Sequence, residues 1–266
     1  MDMRGYRNQQ HAAPMFRAGL AELCRVRGLR RPHIVDFASS YGVVTALMKH
    51  RLSLEDLFAR YRTKEIADMP TRALIAADSA WLAARRDPAW HAWVTAIEVA
   101  PRAAAYGRAA GLFDAAFVEN LNLSPPSAAL ATALSQTDII VECGSVAQLM
   151  PQALDRMLTA AAPRRPWVMA SPVRGNETAE AQAVLERHGL LVETAGGPFV
   201  HRRCEDNAEA ERAAAQARAA GHDTRGLEDE GFLMARLLIA RPHDEATGDI
   251  IGTPSWGVDP PPAATV

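Results

Sequence analysis

The residues able to do chemistry sit where short apolar runs give way to polar ones. HIVDFASSYG, His33 to Gly42, sets Asp36 behind Ile34 and Val35. The small residues Ala38, Ser39 and Ser40 follow, then Tyr41 and Gly42, and VVTALMKH continues with a helical pattern. A strand, a tight turn and a helix start in that order present backbone N–H groups at the positive end of a helix. Such a turn suits a charged or polar ligand at the carboxyl end of a strand. A second carboxylate, Glu98, closes WVTAIE, Trp93 to Glu98. In a nucleotide-binding α/β sheet that position accepts hydrogen bonds from both ribose hydroxyls. A third short strand, AAFVENLN, then carries Glu119, Asn120 and Leu121 at its end, an amide or carboxylate beside an apolar side chain, suited to reading and flanking a purine edge. DIIVECGS, Asp138 to Ser145, is a buried-strand signature whose end, with Glu142 and Cys143, faces the same crevice. Together these ends describe half of a site for a nucleoside-containing cofactor.

The elements that must position them can be read in order. Pro14 to Arg27 places Met15, Leu20, Leu23 and Cys24 roughly on one helical face and leads into the first strand. Before it, Tyr6 to His11 is rich in hydrogen-bonding side chains, either a solvated tail or a lid that excludes water. Ser53 to Trp90 reads as two or three short helices, with Ser53 as an N-cap and Pro70 as punctuation. This helical insertion, residues 53–90, separates the first two strands. It serves as a substrate wall, as a subunit interface that would make a homodimer, or as packing. VAPRAAAYGRAAG is a helix closed by Gly111. Further on come a strand at Trp167 to Ser171, a helix closed by Gly189, the strand LLVETAG, the helix NAEAERAAAQARAAG and a last strand, GFLMARLLIARP. Between the last two strands GGPFVHRRCED reads as a charged loop or, through His201, Arg202 and Arg203 together, as an anion contact at the rim.

Composition narrows the classes. With 29 basic and 31 acidic side chains and a net charge of -2, nothing advertises nucleic acid or a membrane surface as partner. Cys24, Cys143 and Cys204 are odd in number and far apart, which supports neither a disulfide framework nor a CxxC site. The histidines show no HxH or HExxH spacing, so no metal is indicated. MDMRGYRNQQHAAPMF lacks the apolar core of a signal peptide, and no stretch approaches the roughly eighteen apolar residues of a membrane span. The expected location is cytoplasmic.

The succession HIVDFASSYG, AIEVAPRAAAYGRAAGLFD, FVENLN and TDIIVECGSV resembles the four consecutive cofactor-binding motifs of class I S-adenosylmethionine-dependent methyltransferases, over roughly Pro32 to Arg241. Asp36 and Gly42 match the first motif, whereas Ala38 and Ser40 stand where the family has its two earlier glycines. Small residues keep the close backbone approach but lose glycine's conformational freedom, and Tyr41 is bulky where a small residue is commoner. The resemblance implies an α/β fold, a doubly wound, mostly parallel seven-stranded Rossmann-like sheet whose last strand is antiparallel. It divides the chain into an N-terminal lid and helix (1–31), a catalytic domain (32–242) and a C-terminal tail (243–266). It further implies S-adenosyl-L-methionine as cofactor, held by Asp36, Ala38, Ser39, Tyr41, Gly42, Glu98, Asn120, Leu121, Glu142 and Cys143.

Methyl transfer from a sulfonium needs little beyond a nucleophile held in line, so proximity and desolvation carry most of the work. The candidates for catalysis are Tyr6 from the lid, Glu142 as a base or as the partner of a substrate ammonium, and Arg174 as a bidentate partner for a substrate carboxylate. Cys143 reads as a small buried residue rather than a nucleophile. ECGS stands where base-modifying relatives carry an NPPY-type sequence, which points to an O, N or S nucleophile on a small molecule. An alternative within the same fold is attack of the cofactor's own amino group on its γ carbon. That expels methylthioadenosine and yields azetidine-2-carboxylate, with Tyr6, Tyr41 and Phe199 as aromatic neighbours of the sulfonium. A cofactor-binding protein without catalysis is the third reading.

Overall fold

A computed structural model describes residues 5–144, 150–176 and 178–246. Short runs rich in Ile, Val and Ala become the centre of a sheet: β1 (His33–Phe37), β2 (Trp93–Ile97), β3 (Ala115–Phe117), β4 (Ile139–Glu142) and β5 (Trp167–Ala170). All five are parallel, and Ile139, Ile140, Trp167 and Met169 are buried, as expected of strands covered on both faces. Two longer strands, β6 (Leu190–Arg203) and β7 (Phe232–Pro242), complete the order β3-β2-β1-β4-β5-β7-β6, with β7 antiparallel to both neighbours. This is the seven-stranded, doubly wound arrangement expected from the sequence. Register brings Phe37 level with Ile97 and Glu142, and Ile97 level with Phe117. The polar residues that follow β1, β2 and β3, together with Glu142 at the end of β4, therefore meet along one edge.

Helices cover both faces. On one side α1 (Asn8–Arg27), α2 (Val43–Lys49) and α6 (Pro101–Ala109) enclose a core that includes Phe16, Leu23, Met48 and Phe113. On the other, α7 (Ala128–Leu134), α8 (Pro151–Ala160) and α9 (Ala179–Arg187) bury Leu130, Leu154, Met157 and Leu185. Helix α10 (Asn207–Ala219) lies between the last two strands in sequence. The insertion forms α3 (Leu54–Tyr61), α4 (Lys64–Ala67) and α5 (Thr71–Ala83). Ser53 starts α3 in a reciprocal capping box with Asp56, and Pro70 precedes α5.

Two expectations need correction. The segment containing His201, Arg202 and Arg203 is strand, not loop. β6 runs through Gly196, Gly197 and Pro198 by shifting register between Ala195 and Phe199. An edge strand accommodates that bulge because the proline removes no ladder donor from a central position. β3 stops at Phe117 rather than continuing through Asn122. At the start of the tail, Glu245 accepts from Arg27 Nε at 2.9 Å and from the Trp167 indole at 2.6 Å. Ser145 and residues 247–266 lie outside the described residues. Among the described residues no helix is long and apolar enough to cross a membrane.

Candidate functional site

The turn after β1 holds its shape without the expected glycines. Ala38 and Ser40 both adopt left-handed backbone conformations, φ 53° and 50°, and Gly42 follows at 77°. Such values cost an L-residue roughly 1–2 kcal/mol each, so other contacts must hold the turn. Ala38 N–H donates to the Ile97 carbonyl at 2.9 Å. Glu98 does more, one carboxylate oxygen accepting from Ser40 N–H at 2.7 Å and the other from Ala100 N–H at 2.8 Å. The acid at the end of β2 therefore ties the β1 turn to the start of α6. At Gly42 a Cβ would lie 2.8 Å from Phe113 Cζ, so glycine serves close packing there as well as conformation.

Beneath the turn, Asp36 is 1% exposed and accepts from Thr45 Oγ1 at 2.5 Å. Burial pushes its pKa up to about 7, partly offset by the Thr45 bond and reinforced by the neighbouring charges of Glu142 and Glu98. Three acids thus converge on the edge, in surroundings that favour a cation.

At the end of β4, Glu142 is buried, and Cys143 Sγ receives the Ser171 hydroxyl at 3.6 Å. Burial pushes the Cys143 thiol well above its ordinary range, which keeps it neutral. Gly144 packs so tightly that a Cβ would lie 2.0 Å from Asn8 Nδ2 and 3.0 Å from His201 Nε2. Asn8, at the start of α1, is fully buried, yet neither of its side-chain polar atoms has a hydrogen-bond partner among the described residues. Ser39 Oγ and His201 Nδ1 share that condition. Each unsatisfied buried group costs about 1–3 kcal/mol, a cost a ligand supplying the partners would remove. His201 is held neutral, its pKa pushed down to about 4 by burial and by Arg202. Its carbonyl accepts from Arg7 N–H at 2.9 Å, and the Tyr6 ring lies 5.2 Å from the imidazole. The segment before α1 is anchored further by Arg7 pairing with Glu55 at 2.9 Å.

The other predicted residues divide. Asn120 is exposed, with Oδ1 accepting from Asn122 N–H at 3.0 Å, and Leu121 is buried behind it. Glu119 accepts from Ser127, the cap of α7, and is thereby committed to that helix. Arg174 is buried, donates to the Asp223 carbonyl at 2.7 Å and lies 3.3 Å from Glu228. It is a packing arginine between the β5 loop and the segment after α10, not a free partner for a substrate carboxylate. Arg202 pairs with Glu209 at 2.6 Å, which commits it within the chain, whereas Arg203 is exposed and stacks on Phe232. The aromatic residues considered for the sulfonium do not pair with one another among the described residues. Tyr6 meets His201, Phe199 meets His11, and Tyr41, 54% exposed, lies edge-on to Tyr106. Asn8 and Gly144 join the site only in the fold, although the polar run Tyr6 to His11 carries a signal for the first.

The strand order, the antiparallel β7 and the convergence of polar residues on the carboxyl edge define the class I S-adenosylmethionine-dependent methyltransferase fold. No protein-family model matches the chain, and no curated protein matches it by sequence. Solved structures do match. Precorrin-6y C5,15-methyltransferase from Geobacter metallireducens is 12% identical over 84% of this chain and 87% of its own, with a TM-score of 0.40. A TehB-like SAM-dependent methyltransferase from Corynebacterium glutamicum is also 12% identical, over 88% and 97%, with a TM-score of 0.38. Magnesium protoporphyrin IX methyltransferase from Synechocystis, with bound SAH, is 10% identical over 88% and 84%, with a TM-score of 0.44.

Proposed function

We propose that the chain binds S-adenosyl-L-methionine across the carboxyl ends of β1, β2 and β4 and transfers its methyl group to an O, N or S nucleophile of a small molecule. The observation that carries the reading is the left-handed turn at Ala38–Gly42 clamped by Glu98, with unpartnered Ser39 and Asn8 beside it. Each Glu98 oxygen spends one lone pair on a backbone N–H, leaving capacity for the ribose hydroxyls. Asn8 and Ser39 offer a donor and acceptors to the cofactor's amino-acid end, and Leu121 with Asn120 flanks the base. Asp36, Glu98 and Glu142 set a negative field suited to a cation carrying both sulfonium and ammonium. The bound cofactor supplies an electrophilic methyl group. What the chain contributes is placement and exclusion of water, to which the anchored Tyr6–Asn8 segment contributes by covering the end of β4. A net charge of -2 supports a small acceptor rather than a polyanion.

Titration calorimetry with S-adenosylmethionine tests the binding. Glu98→Ala should weaken affinity about 10- to 100-fold, the worth of one or two hydrogen bonds to a charged group; unchanged affinity would remove Glu98 from the ribose. Mass spectrometry tests the chemistry: S-adenosylhomocysteine should form only when an acceptor is present. Methylthioadenosine with a cyclic amino acid, formed from the cofactor alone, would replace transfer by cyclisation.

A further inference from the structure

Away from the strand edge just described, the insertion borders an open cavity of about 1050 Å³ between α3 and α5 on one side and α2 and α6 on the other. That volume reaches the upper end of the range found for drug-sized ligands. Its walls are largely apolar, with Leu57, Phe58, Leu74 and Ile75 from the insertion facing Ala105 and Leu112. Tyr41 and Gly42 also line it, so it abuts the back of the β1 turn.

Charged groups in the wall are few. Among the described residues lining the cavity, Asp78 is the one acid, and it is neutralised: Arg60 Nε donates to Oδ1 at 2.8 Å, while Tyr61 and Tyr106 hydroxyls donate to Oδ2 at 3.0 and 2.9 Å. Burial raises both phenol pKa values, which keeps them protonated. Arg62 and Arg102 line the same space. Arg102, exposed at the start of α6, has no acidic partner among the described residues. With Asp78 neutralised, Arg102 gives this apolar groove a positive charge that complements an apolar anion.

We propose that this cavity is a second ligand site, taking a small carboxylic acid whose hydrocarbon body lies between α3, α5 and α6 and whose carboxylate meets Arg102. The site shares Tyr41 and Gly42 with the residues expected to hold the cofactor, but its anion contact, Arg102, and its filling positions, Ala105 and Ala109, lie outside that set.

Decanoate and decanol, titrated calorimetrically into the full chain, test it. Decanoate should bind more tightly than decanol. Arg102→Gln should weaken decanoate by ~5-fold, the scale of a partly exposed ion pair, and leave decanol within about twofold. Ala105→Trp, which fills the chamber from an exposed helical position, should weaken both ligands by at least about tenfold, and Ala109→Phe serves as a second filling variant if the first lowers the thermal midpoint. Absence of decanoate binding to the wild-type chain overturns the site. Equal losses for acid and alcohol in Arg102→Gln overturn the anion, and undiminished binding in both filled variants overturns the location.

Discussion

Asp36 and Asp78 are both wholly buried aspartates of one molecule, and their surroundings are opposite. Asp78 is 0% exposed and receives a guanidinium and two phenols. Asp36 receives one hydroxyl, from Thr45, and has Glu98 and Glu142 as electrostatic neighbours. The first is complete within the chain and holds α3, α5 and α6 together. The second receives fewer donors and lies beside like charges, an arrangement that costs stability and that the proposed function would set against a cationic cofactor. Burial alone therefore does not tell whether an acid is satisfied within the chain; the donors around it do.

The same isosteric change should move the two sites in opposite directions. Asp78→Asn leaves the nearly buried Arg60 without its counter-charge and is expected to destabilise the fold by about 3–5 kcal/mol, the cost of breaking a buried ion pair. Chemical denaturation at pH 8 measures it, and a loss below about 1 kcal/mol would mean that the cluster is not what binds the insertion.

Asp36→Asn should show the smaller effect and the reverse sign. A carboxyl whose folded pKa stands at about 7 against an ordinary 3.8 binds its proton more tightly folded than unfolded. Its contribution is full below pH 3.8, falls as pH rises, and is gone once pH has passed about 7. The gap corresponds to at most roughly 4 kcal/mol. The wild-type chain should lose stability between about pH 4 and pH 8 by more than Asp36→Asn does, and at the upper end the variant should be the more stable of the two. Parallel pH profiles for the two proteins would erase the contrast between the acids.

How far each region is legible in the sequence follows from how local its causes are. The β1 turn, Glu98 and the capped insertion can be read because a strand end, a cap and a proline act within a few residues. Arg174 misleads because its partners, Asp223 and Glu228, lie about fifty residues away and meet it only after α10 turns back. The sequence around His201 suggests a loop because Gly196, Gly197 and Pro198 signal a turn locally, whereas pairing with β7 carries the chain past them. Nothing local separates Asn8 from its polar neighbours at the start of α1; the packing of Gly144 against it does. The Asp78 cluster gives no signal at all, since its four residues come from α3, α5 and α6.

The smallest expected effect concerns the turn itself. Ala38 and Gly42 share a left-handed backbone, but Ala38 carries a Cβ there and Gly42 does not. Ala38→Gly relieves a strain of roughly 1–2 kcal/mol and gives back about 0.4–1 kcal/mol through the greater freedom of the unfolded chain. A net gain between about 0 and 1.6 kcal/mol is expected from denaturant midpoints. Gly42→Ala meets both penalties at once, the positive φ and a Cβ 2.8 Å from Phe113, and should destabilise. If Ala38→Gly lowers stability instead, the alanine is not strained, and the turn owes its shape to side-chain packing around Ala38 rather than to the Glu98 clamp. Should it raise stability while weakening cofactor affinity, the strain at Ala38 is retained for the preorganised N–H groups it presents, and the missing glycine is a functional substitution.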